Sequence, residues 1–433
     1  MLAVSYSNGH LKLLAVEDAK KIFSFNCNES IQFLYWLQES EEMANKHESH
    51  SFYEDLSGSQ LPKPISYDII SQLFDKTNNK EFPDNLFIKE TKSLTYLVCA
   101  HGTSIAIFVY GYFLLVDANL DIVPSYLNYK QLQACFLSDN TSLISTLGLT
   151  DENLLVYSLL DARILQENHI QIKMISTKFG MLFSMLTSIK SVIKEMEELW
   201  EDILVEMDQK FQLYALEKFN SANKNAASGT PVGTIPPQGT TDGSLVNDFM
   251  MLYAFGSCSE HFKTFLLQEL TEKGLKRLEL SVENYYSNIQ RLLSGSFHQI
   301  SLCMFYQLNE LYGMTKWFDK FKIFSLTEQH INEVLNNCAS LILKAQELNF
   351  VIDQNMKEIK LFFKWLHSSI IHLSDDHSSS DMIRFNEEME NSILDFIQNT
   401  FKDAQTINLE KIGQYLKQEN LKVLFTVCFI LES

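Results

Sequence analysis

The chain has 433 residues, 21% of them charged and 46% hydrophobic, which is enough for two or three domains with filled cores and too apolar for a disordered tail. With 54 acidic against 35 basic residues the formal net charge is −19, and this excludes a general nucleic-acid binder, because tracking phosphates requires clustered Lys and Arg. Glycines number 15 and prolines 7, roughly 5% together where about 12% is usual, a balance that favours long helices over a loop-rich enzyme.

In chain order, the first third reads as short strands of period two. Leu2–Ser7, Leu11–Val16 and Lys21–Phe25 make a first group. Ile31–Leu37 opens a second, in which Phe33, Tyr35 and Leu37 alternate with Gln32, Leu34 and Trp36. The second group resumes as Thr95–Ala100, Ser104–Tyr110 and Tyr112–Val116, turned at His101-Gly102 and Gly111. Gln131–Leu137, Ser142–Leu147 and Asn153–Leu159 make the third, with turns at Ser138-Asp139-Asn140 and Thr150-Asp151-Glu152. Tightly turned strands in threes and fours predict the blades of a β-propeller, about three of them and therefore a partial one. The Glu, Ser, Asn, His and Lys content of the insertion around residues 39–90 predicts a disordered, solvated excursion between strands of the second group.

Near Ile164 the period changes. Phe179, Phe183, Leu186, Ile189, Ile193, Met196, Trp200, Ile203, Met207, Phe211 and Tyr214 recur at steps of three or four, an apolar stripe along a rod of about 50 Å. Residues 220–244 are rich in Gly, Pro, Ser, Thr and Asn and predict a disordered linker. Leu245–Phe255 and Glu260–Leu270 follow as a helix broken near Gly256-Ser257. A stripe of Leu275, Leu278, Val282, Tyr285, Ile289 and Leu292 comes next and resumes after Gly295 as Ile300–Leu311. Ser325 or Thr327 caps the start of a last rod, with Glu328 in its first turn and Leu341, Ala345, Leu348, Ile352, Met356, Ile359, Phe363 and Leu366 on one face. No proline follows Pro237. The fold class expected is therefore mixed all-β plus all-α: residues 1–163 a partial WD40-like propeller, 164–219 a first long helix, 245–405 the rest of a four-helix bundle, and 406–433 a C-terminal stub.

The residues that carry chemistry are sparse. No G-x-G-x-x-G, no Gly-Lys followed by Ser or Thr, no H-E-x-x-H and no G-x-S-x-G occurs, so phosphate cradles, zinc hydrolysis and serine hydrolysis have no starting motif. His367, His372, Asp375, Asp376, His377 and Asp381 fall close together, but His367 and His372 are five apart and off a common helical face, so a solvated helix end is the expected reading. Cys258 and His261 have ligand spacing without a second pair. Glu195, Glu197, Glu198, Glu201 and Asp202 could pair as acid and base in a pocket and are expected instead on a solvated face. Trp200, Trp317 and Trp365 sit in helical apolar context and are expected in the core or at a partner interface. The seven cysteines are dispersed with no C-x-x-C, the pattern of buried thiols in a reducing compartment, and no secretory signal or membrane-length apolar run is visible. The expectation is a soluble intracellular scaffold with no catalytic, cofactor or metal residue, and no nucleic acid, membrane or small-molecule substrate as partner.

Several strings then point to one family. LWEDILVEMDQKF (Leu199–Phe211), GLKRLELSVENYYSNIQRL (Gly274–Leu292), QLNELYGMTKW (Gln307–Trp317), LILKAQELNFVIDQNMKEIKLFFKWL (Leu341–Leu366) and EKIGQYLK (Glu410–Lys417) resemble, in order and spacing, the anaphase-promoting complex (cyclosome) subunit 4 family. Leu2–Phe25 and Tyr110–Val116 are consistent with its propeller. The resemblance implies a WD40 propeller with a long helical bundle inserted into it. It also implies a non-catalytic place in the platform of a ubiquitin ligase that marks mitotic regulators, beside the large subunit 1 and the helical-repeat subunit 5, in nucleus and cytoplasm. By the same resemblance the chain is expected to begin inside an early blade and to stop short of the strands that complete the propeller. A vesicle-coat or tethering component, which also joins propellers to long helices, is the alternative; it predicts a lipid-facing stretch, and none is seen.

Overall fold

The structure is a computed structural model and describes residues 1–16, 19, 21–27, 29–39, 93–120, 129–150, 152–226, 244–324, 326–374 and 386–400. Among the described residues ten short strands form three antiparallel sheets. β1 (Leu2–Ser5), β2 (His10–Leu14) and β3 (Lys21–Asn26) lie in that order in the first. β4 (Ile31–Gln38), β5 (Thr95–His101), β6 (Ser104–Val109) and β7 (Phe113–Asn119) make the second, again in chain order. The third has the order β10-β9-β8, from β8 (Tyr129–Leu137), β9 (Leu143–Thr150) and β10 (Leu155–Asp161). The three strand groups legible in the sequence are these three sheets, and the insertion does separate β4 from β5, which pair from Ile31↔His101 to Gln38↔Thr95.

Local chemistry explains the turns. Gly102 sits at φ +53° and Gly111 at φ +79°, in the left-handed region where a Cβ is costly. At Gly111 a Cβ would also lie 2.7 Å from Trp36 Cη2 and 2.8 Å from Leu13 Cδ1, so only glycine lets the β6–β7 turn approach the core this closely. Tyr96 to Ala100 of β5 and Ile105 to Val109 of β6 are buried on both faces, which is why these central strands read as continuous apolar runs rather than alternating ones.

α1 (Arg163–Glu167) is followed by α2 (His169–Ala226), α3 (Ser244–Phe255) and α4 (Glu260–Thr264), the last continuing as a π-helical turn over Phe265–Leu270. α5 (Glu272–Arg291) passes through a second π-helical stretch, Leu292–Phe297, into α6 (His298–Lys316). Then come α7 (Phe318–Phe321), the 3-10 turn Lys322–Phe324, α8 (Glu328–Leu373) and α9 (Glu387–Thr400). Among the described residues no helix is long and apolar enough to cross a membrane.

Four expectations are corrected. The first rod, expected at 164–219, is two helices: α1 ends at Glu167 and α2 runs 58 residues, about 87 Å. The linker was placed at 220–244, yet α2 continues through Ala226 and α3 begins at Ser244, because Ala, Glu and Lys near the end of α2 favour helix even where the apolar stripe has stopped. Gly295 does not interrupt the helix: π-helical hydrogen bonding carries the chain across it, absorbing the extra residue that a break would otherwise accommodate. Glu39, assigned to the solvated insertion, is buried. Residues 40–90 of that insertion, 227–243 of the linker and the 406–433 stub lie outside the described residues.

The chain divides into two compact units, and the division falls inside helices rather than at residue 163. The first comprises Met1–Thr187 and Met304–Leu335. Its core gathers Leu11 and Leu13 of β2, Val98 of β5, Phe108 of β6, Leu132 of β8 and Ile172 of α2. Phe179 packs on Tyr112 and Phe113 with ring centroids 6.4 and 5.2 Å away, and Phe183 meets Phe23 at 6.2 Å. The second unit comprises Ser188–Cys303 and Asn336–Ser433. In it Ile189, Ile193, Met196, Trp200, Ile203, Met207, Phe211 and Tyr214 of α2 are all buried, as their spacing requires. Trp200 meets Tyr286 of α5 at 6.3 Å, Phe211 meets Phe249 of α3 at 6.0 Å, and Phe362 of α8 meets Phe249 at 5.6 Å and Phe396 of α9 at 5.0 Å.

Candidate functional site

The residues singled out for chemistry do not converge. His367 is half-buried on α8 with Nε2 3.1 Å from Glu272 Oε1, and the same carboxylate takes Lys276 Nζ at 2.8 Å. His372 is near the end of α8, while Asp375, Asp376, His377 and Asp381 lie outside the described residues. Cys258 is half-buried and its thiol is pushed up chiefly by burial, the opposite of what a reactive thiolate needs, and His261 is exposed. Among the described residues no group of three His, Cys, Asp or Glu side chains could hold a metal ion.

The acidic run divides. Glu198, Glu201 and Asp202 face solvent, but Glu197 and Glu195 are half-buried, the latter with Oε2 lacking a hydrogen-bond partner. The expectation of a uniformly solvated face is corrected there: Glu195 stands one residue before Met196 on the stripe, so helical geometry turns it toward the core edge. Burial, and secondarily the neighbouring Glu198 carboxylate, raise the Glu195 carboxyl above its ordinary value of 4.5, with Arg291 opposing. A folded state that holds this proton more tightly than the unfolded chain loses stability as pH rises through the folded value. Glu195→Gln is therefore expected to raise the thermal midpoint at pH 7 by about 1–3 °C and to leave it unchanged at pH 4. A melting series over that range checks it, and equal midpoints at pH 7 would refute the sign.

Three buried polar arrangements in the first unit had no signal in the sequence. Glu39 Oε1 is 2.7 Å from His169 Nε2, while Glu39 Oε2 accepts the backbone N–H of Leu94 at 3.0 Å. Lys178 of α2, also buried, donates to Gln307 Oε1 of α6 at 2.8 Å. Cys27 and Cys99 are buried and hydrogen-bonded to one another; that bond lowers the Cys27 thiol and raises the Cys99 thiol, which burial raises further. Residues that meet only through the fold leave no periodic trace.

The three tryptophans differ in exposure. Trp200 and Trp365 are core residues, the latter packed at tilted angles among Phe249, Tyr253 and Phe362. Trp317 is exposed at the end of α6, so of the three tryptophans it alone fits the interface reading. On α8, Leu343 and Phe350 are exposed seven residues apart and share one face of the helix, opposite the buried Ile352 and Ile359.

A sequence model of the family described as "Anaphase-promoting complex, cyclosome, subunit 4" matches residues 156–376, just over half of the chain. That range runs from β10 to the end of α8 and contains four of the five strings that carry the resemblance. The human protein named "Anaphase-promoting complex subunit 4" is 29% identical over 427 residues, covering 94% of this chain and 48% of its own length. The mouse protein of the same name is 28% identical over 424 residues, covering 94% and 49%. The chain thus spans about half the length of the relatives it matches. With two long helices inside the matched segment and similarity extending through the sheets, the chain belongs to the anaphase-promoting complex (cyclosome) subunit 4 family.

Proposed function

We propose that this chain acts as a non-catalytic scaffold in the anaphase-promoting complex, a multisubunit ubiquitin ligase of mitotic progression, and works by holding neighbouring platform subunits at fixed separations. In this reading the three sheets are blades of a partial WD40-like propeller, and α2, α5, α6 and α8 belong to a four-helix bundle. The neighbours are the large subunit 1 and the helical-repeat subunit 5, and the site of action is the nucleus and cytoplasm. The observation that carries the reading is the family match over residues 156–376, which falls on helices of 58 and 46 residues. At about 1.5 Å per residue these are rods of roughly 87 and 69 Å, lengths suited to spacing partners.

The mechanism is geometric. A helix whose inner face is locked by buried aromatics bends little, so contacts placed along its outer face keep their spacing. Each contact can be individually weak, because several engaged together by one rigid body raise the effective concentration of the rest. Affinity purification of the tagged chain from its own cells, under gentle salt, is expected to recover the large platform subunit and the helical-repeat subunit in near-equal amounts. Recovery of the chain without either would overturn the proposal.

A further inference from the structure

Two cysteines remote in the sequence meet where the first sheet lies against the second. Phe25 of β3 packs on Phe108 of β6 with ring centroids 5.1 Å apart. Phe108 stands opposite Leu97 of β5, and two residues further along Ala106 stands opposite Cys99. Two residues beyond Phe25 comes Cys27, its backbone N–H bonded to Gly9 O at 2.9 Å. Two more bring Glu29 over the β5–β6 turn, where a Cβ on Gly102 would lie 1.5 Å from Glu29 Oε2. Residues 25–29 therefore run alongside residues 97–102, and alternation puts Cys27 and Cys99 on the sides that face.

The hydrogen bond between the two thiols has a direction. Cys99 donates to the Cys27 sulfur, which favours a thiolate at Cys27 and keeps the proton on Cys99. Burial and the Asp117 carboxylate act against charge at both, less strongly at Cys27 than the bond from Cys99 acts for it. Asp117 of β7 pairs with Ala106 and so shares this face, its Oδ1 3.6 Å from His101 Nε2. Cys27 is the outer of the two sulfurs, 6% exposed against 0%, and exposed Glu29 and Ser30 follow it at the surface. A sulfur favoured as thiolate near the surface, with a second thiol directly behind it, is the arrangement of a redox pair. Cys135 and Cys338, by contrast, are pushed up to about 12 by burial and stay inert thiols.

We propose that Cys27 and Cys99 are a modification site for a small hydroperoxide, which oxidises them to a disulfide tying the first sheet to the second. The Cys27 sulfur attacks the peroxide; an S–O bond forms as the O–O bond breaks, and the departing oxygen leaves as water with the Cys27 proton. The Cys99 sulfur then displaces the hydroxyl from Cys27, an S–S bond forming as the S–O bond breaks, and the Cys99 proton leaves in a second water. Two thiols lose two electrons and one peroxide becomes two waters. The cross-link closes the chain between residues 27 and 99 and so restrains the unfolded state of the first unit. The site does not depend on which complex the chain joins.

The test uses the purified full chain, reduced, desalted and exposed to hydrogen peroxide, then alkylated and digested without reductant for mass spectrometry. A peptide containing Cys27 joined to one containing Cys99 is expected, reversible by dithiothreitol. The thermal midpoint should rise by about 5–10 °C with the cross-link. In Cys99→Ser, or Cys99→Ala should the serine not fold, Cys27 is expected to stop at the sulfenic acid and to take up dimedone. Cys135→Ser should leave the cross-link unchanged. The parent chain alone decides the matter if every variant misfolds. A digest without the joined peptide overturns the proposal, as does Cys27 joined to any other cysteine, or a link that forms only in urea. Dimedone-reactive Cys27 that persists in the parent beside unreacted Cys99 overturns it equally.

Discussion

Ile352→Asp is expected to unfold most of the second unit. Ile352 is wholly buried on α8, between Leu348 and Ile359 on the same face. The substitution removes about 2–3 kcal/mol of apolar burial and puts a carboxyl group at a fully buried position, a further cost of several kcal/mol even if the group takes up a proton. A domain of ordinary stability has about 5–15 kcal/mol in all, so the loss consumes most of it. Urea titration followed by helical circular dichroism measures the effect. Two comparisons give it meaning: Ile352→Val should cost only about 0.5–1.5 kcal/mol, and Leu343→Asp, on the exposed face of the same helix, should stay within about 0.5 kcal/mol of the parent. If Ile352→Asp and Leu343→Asp behaved alike, the inner face of α8 would be wrongly assigned. In cells, the first should lose incorporation into the complex while the second, if it weakens assembly at all, does so with the fold intact.

His169→Ala is expected to cost about 1–3 kcal/mol in the first unit, because it removes the imidazole that lies against a buried carboxyl oxygen. Glu39 and His169 side chains are 4% and 5% exposed and 2.7 Å apart, and Glu39 is further tied to Leu94 through both its backbone N–H and its carboxylate. The pair therefore joins three segments distant in sequence: the end of β4, the approach to β5 and the first residue of α2. Adding Glu39→Gln to His169→Ala should recover a large part of the loss, since a neutral amide can still accept from the Leu94 N–H and costs less to bury than a carboxyl group. Denaturant midpoints of the two single variants and the double give the coupling directly. Strictly additive losses would mean that the two side chains do not interact.

These two predictions illustrate how unevenly the molecule is written in its sequence. Trp200, Ile203 and Met207 could be placed in a core from spacing alone, and each is buried in the structure. The pair Tyr285-Tyr286 could not be resolved. Spacing from Val282 to Ile289 is satisfied by either residue, and the stripe was drawn through Tyr285; it is Tyr286 that is fully buried, because the Trp200 ring stands opposite it. Met356 was likewise assigned to the α8 stripe and is only half-buried, with Asn355 taking the inward position.

Periodicity therefore determined which segments are strands, which are helices and where their apolar faces run, since these are properties of a single element meeting water on one side. The family strings did the same for identity, as they are linear and survive without a structure. Only the tertiary structure decided that Glu39 is buried against His169, that Glu195 turns inward, that α2 outlasts its stripe, and that Cys27 meets Cys99. Each of those facts depends on what a second, distant segment places opposite the residue, and one strand or helix read by itself contains no record of its neighbour.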